Sequence, residues 1–237
     1  MYHSVDEALT AKIVVPPTLF REHMRALSAM GYHTISIDRY SEIVYGRKAD
    51  SGKTVLLTFD DGYEDFYTTT WPILQEYGAT ATVFLLSSYA GQLNWWNHKA
   101  NYLKRHLSWA QIIQLKREGV SFGAHSTDHQ NFAKLNGSQI LNDLEISKRE
   151  IEHWLDQPIT AFSYPYGDFN DRAVDIVQRL FKLAFSVDQG SIDYRNSPYT
   201  INRLSVNRAW TADDLISNLA KMDKDDVPRE SEPIVKP

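Results

Sequence analysis

The 237-residue chain contains no cysteine. Disulfides are therefore excluded, and so is any metal site built on thiolates. No apolar run approaches the roughly 18 residues of a membrane-spanning helix. No Lys/Arg-rich block is present, and 25 basic against 30 acidic residues leave a formal charge of −5. That balance argues against a nucleic-acid partner, because phosphate binding needs clustered cations. Sequence repeats are absent too. What is present is enough apolar material, 43% of residues, to bury a full core. Its length fits one domain, since α/β barrels often run to this size undivided. Aromatics are plentiful, with 6 Trp and 13 Tyr, which suits either a neutral ligand such as a sugar or ordinary core packing.

Short β-branched or aromatic runs alternate with helical stretches. The runs are the opening residues, 34–37, 54–59, 81–86, 120–125, 159–164, 183–187 and 201–206. The helical stretches are 18–30, 39–45, 65–77, 108–118, 138–155, 170–181 and 211–222. Ser108 and Thr211 read as helix N-caps, and Gly78 and Gly119 as stops. Such alternation implies a mainly parallel sheet, and seven or eight units suggest closure into a barrel. Asp60-Asp61, His125, Tyr164-Pro165-Tyr166 and the 205–207 stretch all follow the C-terminal ends of predicted strands. In a barrel those ends converge on one face. The tail after residue 222 is charged, contains Pro and has few apolar residues, so it reads as a frayed end or linker.

Thr58-Phe59-Asp60-Asp61-Gly62 ends an apolar run. Neighbours on a regular strand point to opposite faces, but a chain turning at Gly62 brings both carboxylates to one side. By itself the segment also fits a solvated Asp-Asp-Gly turn. His125-Ser126-Thr127-Asp128-His129 carries imidazoles at i and i+4, which share a face on a helical turn and suit one cation. The bland reading is two incidental loop histidines. Together the patches supply a divalent-metal ligand set with one carboxylate left over for general-base work. Tyr164-Pro165-Tyr166-Gly167 is either a structural turn or a pocket-lining loop. Trp95-Trp96 is either a buried pair anchoring a long loop or a sugar-stacking surface.

These motifs, in this order, resemble the polysaccharide deacetylases of carbohydrate esterase family 4. The run Leu107-Ser-Trp-Ala-Gln-Ile-Ile-Gln-Leu-Lys-Arg-Glu-Gly119 into Val-Ser-Phe-Gly-Ala-His125 is typical of the approach to that family's histidine motif. The resemblance covers about residues 1–222 as one domain, with 223–237 as a polar tail. It implies an α/β fold, a distorted (β/α) barrel of about seven strands akin to a TIM barrel. It also implies hydrolysis of acetyl groups on an acetylated glycan polymer with one divalent ion, usually Zn2+, with Co2+ or Ni2+ as alternatives. Asp61, His125 and His129 would hold the ion, Asp60 would be the general base, and the Tyr166 N–H beside Pro165 would bind the oxyanion.

Two departures stand out. The family's Arg two residues before the loop Pro, which orients the base, is Ser163 here. The late Leu-x-His that supplies the general acid is Leu204-Ser205-Val206. With Tyr2-His3 and Trp95-Trp96, these departures resemble the branch of poly-N-acetylglucosamine deacetylases, in which the early His lies near the metal. His3 is thereby a candidate catalytic residue, and Trp95 and Trp96 candidate substrate contacts. The alternatives are a carbohydrate-binding barrel with little or no catalysis, a deacetylase of another glycan, and a barrel hydrolase of other chemistry. The resemblance further implies a monomer outside the cytoplasm (extracellular, cell-surface or periplasmic), with any signal or anchor lying outside these residues.

Overall fold

A computed structural model describes residues 1–46, 52–95, 103–187 and 197–225. Strands β1 (Ser4–Val5) and β2 (Val14–Val15) form one parallel pair, and β3 (His33–Thr34) and β4 (Thr54–Val55) another. The main sheet is parallel and runs β5 (Thr58–Phe59), β6 (Thr82–Leu85), β7 (Ser121–Ala124), β8 (Ala161–Ser163) and β9 (Leu183–Phe185) in chain order. Helices α3 (Trp71–Glu76), α4 (Trp109–Arg117), α5 (Gly137–Leu155) and α6 (Asp171–Leu180) link successive strands. Helices α1 (Pro17–Ala29) and α2 (Ile37–Val44) precede the sheet, and α7 (Ala212–Asp225) follows it.

The sheet is a curled half-barrel of five strands, which corrects the expected count of about seven. The opening and closing segments join it through single bridges, Tyr2 to Phe59 and Phe185 to Ile201. Among the described residues no ladder of consecutive pairs extends from those bridges. Met1 instead exchanges backbone bonds with the 204–206 stretch, through Met1 N–H3 to Leu204 O at 2.7 Å and Val206 N–H to Met1 O at 3.0 Å. Of the run at 34–37 only Thr34 lies in a strand, at the end of β3. Ser36 Oγ accepts from Arg39 N–H at 3.2 Å and caps α2, so the chain turns helical at Ile37. The stretch at 65–77 opens as a π-helical turn, Phe66–Thr70, before α3. Elsewhere the cap signals hold. Ser108 and Gln111 form a capping box at α4, and Asn136 and Gln139 form another at α5.

The core lies between sheet and helices. Tyr2 stacks on Phe59 at 5.4 Å and meets Phe20 edge-on at 5.3 Å. Its hydroxyl reaches His23 Nδ1 at 3.0 Å. His23 Nε2 faces the Trp210 carbonyl at 2.9 Å. A carbonyl only accepts, so Nε2 carries the proton and Nδ1 accepts from the tyrosine. This buried histidine is a structural tie between α1, the opening segment and the segment before α7.

Candidate active site

The chemically loaded residues stand at the C-terminal ends of the parallel strands. Asp60 and Asp61 follow β5, and the backbone turns left-handed at Asp61 (φ 71°) and again at Gly62 (φ 68°). A Cβ on Gly62 would lie 2.9 Å from Leu85 Cδ2, so the turn needs glycine for space as well as for φ. This double turn brings both neighbouring carboxylates into the site.

Asp61 Oδ1 lies 3.4 Å from His125 Nε2 and 3.4 Å from His129 Nε2. All three residues are buried, and one donor atom from each falls within 4.8 Å of the others. His125 Nδ1 faces the Ser163 carbonyl at 2.7 Å and must donate to it, which leaves the Nε2 lone pair aimed at Asp61. Asp61 Oδ1 is a buried acceptor with no hydrogen-bond partner among the described residues. A cation among these donors satisfies all of them, so the residues fit one divalent ion. Burial outweighs the nearby carboxylates at His129 and pushes its pKa down to about 3, so it is neutral at ordinary pH, as a ligand must be. At His125 burial lowers the pKa, but the adjacent Asp61 and Asp60 carboxylates win and raise it. Burial would raise Asp61, yet the surrounding histidines hold it well below the usual carboxylate range.

The two histidines do not share a helical turn, contrary to the i, i+4 reading. Residues 125–130 form a loop with left-handed backbone at Ser126 (φ 81°) and His129 (φ 64°). Side chains impose this shape. Ser126 Oγ accepts from His129 N–H at 2.9 Å, and Ser147 Oγ on α5 donates to Ser126 O at 3.0 Å. Asp143 on α5 accepts from both N–H and Oγ–H of Thr127. Burial, helped by Asp128, pushes the Asp143 carboxyl up to about 6 despite those two bonds. A carboxyl whose folded pKa exceeds its unfolded value binds more protons when folded, so stability falls as pH rises from about 4 to about 6. Asp143→Asn should therefore gain stability relative to wild type, by roughly 1–3 kcal/mol, as pH moves from 5 to 8 in chelator. Chemical denaturation at the two pH values measures this. An unchanged difference would mean that Asp143 is not held against ionisation.

Asp60 is clamped by a residue the motifs did not single out. Arg203 Nη1 donates to Oδ1 at 2.8 Å and Nη2 to Oδ2 at 2.7 Å. Its other donors go to Ser163 Oγ (2.8 Å), Thr58 Oγ1 (3.2 Å) and Ser186 O (3.0 Å). All five N–H groups are thus engaged in a buried pocket. Ser163 Oγ donates to Asp60 Oδ2 at 3.1 Å. Arg203 thus contacts the Asp60 carboxylate where an Arg at position 163 was expected to, and Ser163 bridges the two. Burial would raise the Asp60 pKa, but the Arg203 charge and its hydrogen bonds, with His125, hold it well below the usual range.

His3 follows the Tyr2 bridge and precedes β1. Its Nδ1 is a buried atom without a hydrogen-bond partner among the described residues, and its pKa is lowered by burial, against the pull of Asp61 and Asp60. The structure thus brings His3 into electrostatic reach of both carboxylates. Tyr166 occupies a tight turn closed by Gly167 N–H to Tyr164 O at 2.9 Å, with Pro165 buried at its first corner. Tyr166 takes φ 63° and ψ −1°, the second corner of a type II turn, where glycine is the easy residue. Its ring meets His129 edge-on at 4.4 Å. A cavity of about 530 Å³ opens beside the pair, lined also by Gln130, Asn131, Lys134, Leu135 and Asp168. Trp95 follows the Leu93–Arg105 bridge and is 57% exposed, which removes the buried-pair reading for this residue. Trp96 lies outside the described residues, as do residues 226–237 of the expected tail.

The sequence model of the polysaccharide deacetylase family matches residues 47–181. A Bacillus subtilis (strain 168) protein, YxkH, named only by the polysaccharide deacetylase class, is 28% identical over 207 residues, covering 87% of this chain and 70% of its own length. A Staphylococcus aureus (strain MRSA252) poly-β-1,6-N-acetyl-D-glucosamine N-deacetylase is 25% identical over 179 residues, covering 71% of this chain. The chain spans 58% of the length of that staphylococcal relative. The Streptococcus pyogenes deacetylase PplD, solved with acetate, superposes with a TM-score of 0.82 at 24% identity, covering 92% of this chain and 95% of PplD. With more than half of its length matched by the family's own sequence model, this chain belongs to the polysaccharide deacetylase family.

Proposed function

We propose that residues 1–222 form a hydrolase domain that removes N-acetyl groups from an amino-sugar polymer, poly-N-acetylglucosamine or a related glycan. The carrying observation is the division of labour between adjacent carboxylates. Asp61 faces two imidazoles at 3.4 Å, while Asp60 is held in a guanidinium fork. Asp61, His125 and His129 would hold one divalent ion, with Zn2+ the first candidate for two nitrogens and one oxygen. Such an ion supplies Lewis acidity and makes a nearby water more acidic. Asp60 takes the proton of the attacking water, and its ionised state, secured by Arg203, leaves it able to accept one. The water oxygen bonds to the acetyl carbon, and the Tyr166 N–H, outside the bond that closes its turn, donates to the developing oxyanion. The C–N bond then breaks, and the amine leaves with a proton from His3 or from Asp60. Acetate and a glucosamine unit are the products.

The cavity beside His129 and Tyr166 suits a neighbouring sugar, and Trp95 offers an exposed aromatic face to a longer chain. Such a polymer lies outside the cytoplasm, which is where this reading puts the protein. The absent Arg at position 163 and the absent late His spoke for a barrel without catalysis; Arg203 beside Asp60 answers the first, and the intact Asp61, His125 and His129 set supports catalysis. Acetate release from β-1,6-linked N-acetylglucosamine oligomers, abolished by chelator and restored by Zn2+, is the expected result. Release unaffected by chelator would defeat the metal reading, and oligomer binding without release would favour the non-catalytic barrel. His3→Ala should lower kcat about tenfold with metal content unchanged. Full activity in that variant would leave Asp60 as the sole proton carrier.

A further inference from the structure

The excursion between β6 and α4 returns to the site along residues 105–107. There it lies antiparallel to the turn after Asp61. Glu64 N–H donates to Arg105 O at 2.9 Å, Leu107 N–H to Gly62 O at 2.9 Å, and Tyr63 and His106 form a bridge. His106 is buried and packs against the rings of Tyr63 (4.9 Å) and Tyr89 (5.4 Å). Its Nδ1 lies 2.8 Å from the carbonyl oxygen of Asp61. That oxygen only accepts, so Nδ1 carries the proton and donates it. Nε2 is buried and has no hydrogen-bond partner among the described residues. A leucine would fill the same space without leaving a polar atom unsatisfied, so packing does not explain an imidazole here. The Nδ1 donation does. A non-glycine residue at φ 71° persists only where its surroundings hold it.

We infer that His106 is a positioning residue for Asp61, holding the left-handed backbone from which that carboxylate reaches His125 and His129. The inference rests on the proposed reading of those three residues as a cation site. In effect His106 is an outer partner to a metal ligand, acting on its main chain rather than its side chain, and such partners typically tune affinity ten- to a hundredfold. The device also ties the 87–107 excursion, which carries Trp95, to the ligand turn.

An amide exchange tests the donor directly. The Asn side-chain nitrogen can occupy the place of His Nδ1, whereas the Gln nitrogen reaches the place of Nε2, away from the Asp61 carbonyl. Zn2+ affinity by competition with a chromogenic chelator, and melting of the metal-free proteins, are measured for wild type, His106→Asn and His106→Gln. Expected are a Zn2+ Kd within about threefold of wild type for His106→Asn and a loss of roughly 10–100-fold for His106→Gln. The metal-free melting temperatures of the two variants should agree within a few degrees. Equal Kd values for Gln and wild type, or a tenfold loss in a folded Asn variant, overturn the inference alone. The Asn result decides the matter even where the Gln variant does not fold. Absence of Zn2+ binding by wild type overturns the cation reading and this inference with it.

Discussion

Asp61→Asn and His125→Ala should each lose the bound divalent ion. Wild type is expected to retain one equivalent after dialysis, and either variant close to none, a loss of affinity of at least about 100-fold. The expectation follows from geometry. Three buried donors converge within 4.8 Å, so removing one leaves two, too few for a closed protein site with an open position. Asp61 is the only carboxylate in the set, and its neutral amide would remove the charge that offsets the cation. The same coupling sets the pH dependence. The carboxylates beside His125 raise its pKa, so protons compete for its Nε2 more strongly than for a free imidazole, and a cation must displace any proton held there. Affinity should therefore fall as pH drops from 7 to 5, with more protons released on binding at the lower pH. Metal analysis of dialysed protein measures the stoichiometry. Thermal shift on adding Zn2+ gives a second readout, because an ion that binds only the folded state raises its stability. Stoichiometric metal in both variants would sink the ligand assignment, and pH-independent affinity would sink the account of proton competition at His125.

Much of this site was legible because its residues end apolar runs. Asp60, His125 and Ser163-Tyr164-Pro165 all follow sequences that can only be buried strands, and parallel strands deliver their C-terminal ends to one face. The loop shape between His125 and His129 was not legible. Its left-handed residues are imposed by Ser147 and Asp143 on α5, some twenty residues along the chain, and local spacing carries no trace of them. Arg203 was hidden for a related reason. It lies in a stretch that reads as strand, and its carboxylate partner stands 143 positions earlier. The available signal was a lone Arg inside an otherwise apolar and small-residue run, which a buried strand tolerates only with a paired charge. The strand count failed differently. Runs at 1–5 and 201–206 have strand composition, but they meet the curled sheet at one residue each.

Asp60→Asn should keep the metal and lose about 10²–10⁴-fold in kcat/KM, the range that general acid–base groups contribute. The metal stays because Asp60 donates nothing to the triad, its two oxygens being committed to Arg203 at 2.8 and 2.7 Å. The arginine sets a compromise. It keeps Asp60 ionised in a buried site where desolvation alone would protonate it, yet a carboxylate held so far down is a weak base. Arg203→Met releases the compromise in both directions. Asp60 loses its partner, burial dominates, and its pKa rises, so the acid limb of the kcat/KM profile moves to higher pH. The fold also suffers, since an unpaired buried charge costs about 3–5 kcal/mol. The depressed carboxyl of wild type contributes stability above its unfolded pKa near 4, a contribution lost as pH falls toward its folded value. In Arg203→Met that contribution is gone, and the stability deficit should widen from pH 4 to pH 7. Arg203→Lys separates charge from geometry. It restores a cation but cannot engage five acceptors, so its acid limb should fall between those of wild type and the Met variant. Metal-loaded enzyme assayed from pH 5 to 9, beside denaturation of the metal-free proteins, provides both profiles. An Asp60→Asn variant with more than a tenth of wild-type kcat/KM would remove Asp60 as the base. An unmoved acid limb in Arg203→Met would mean that the guanidinium holds the fold and not the ionisation of its partner.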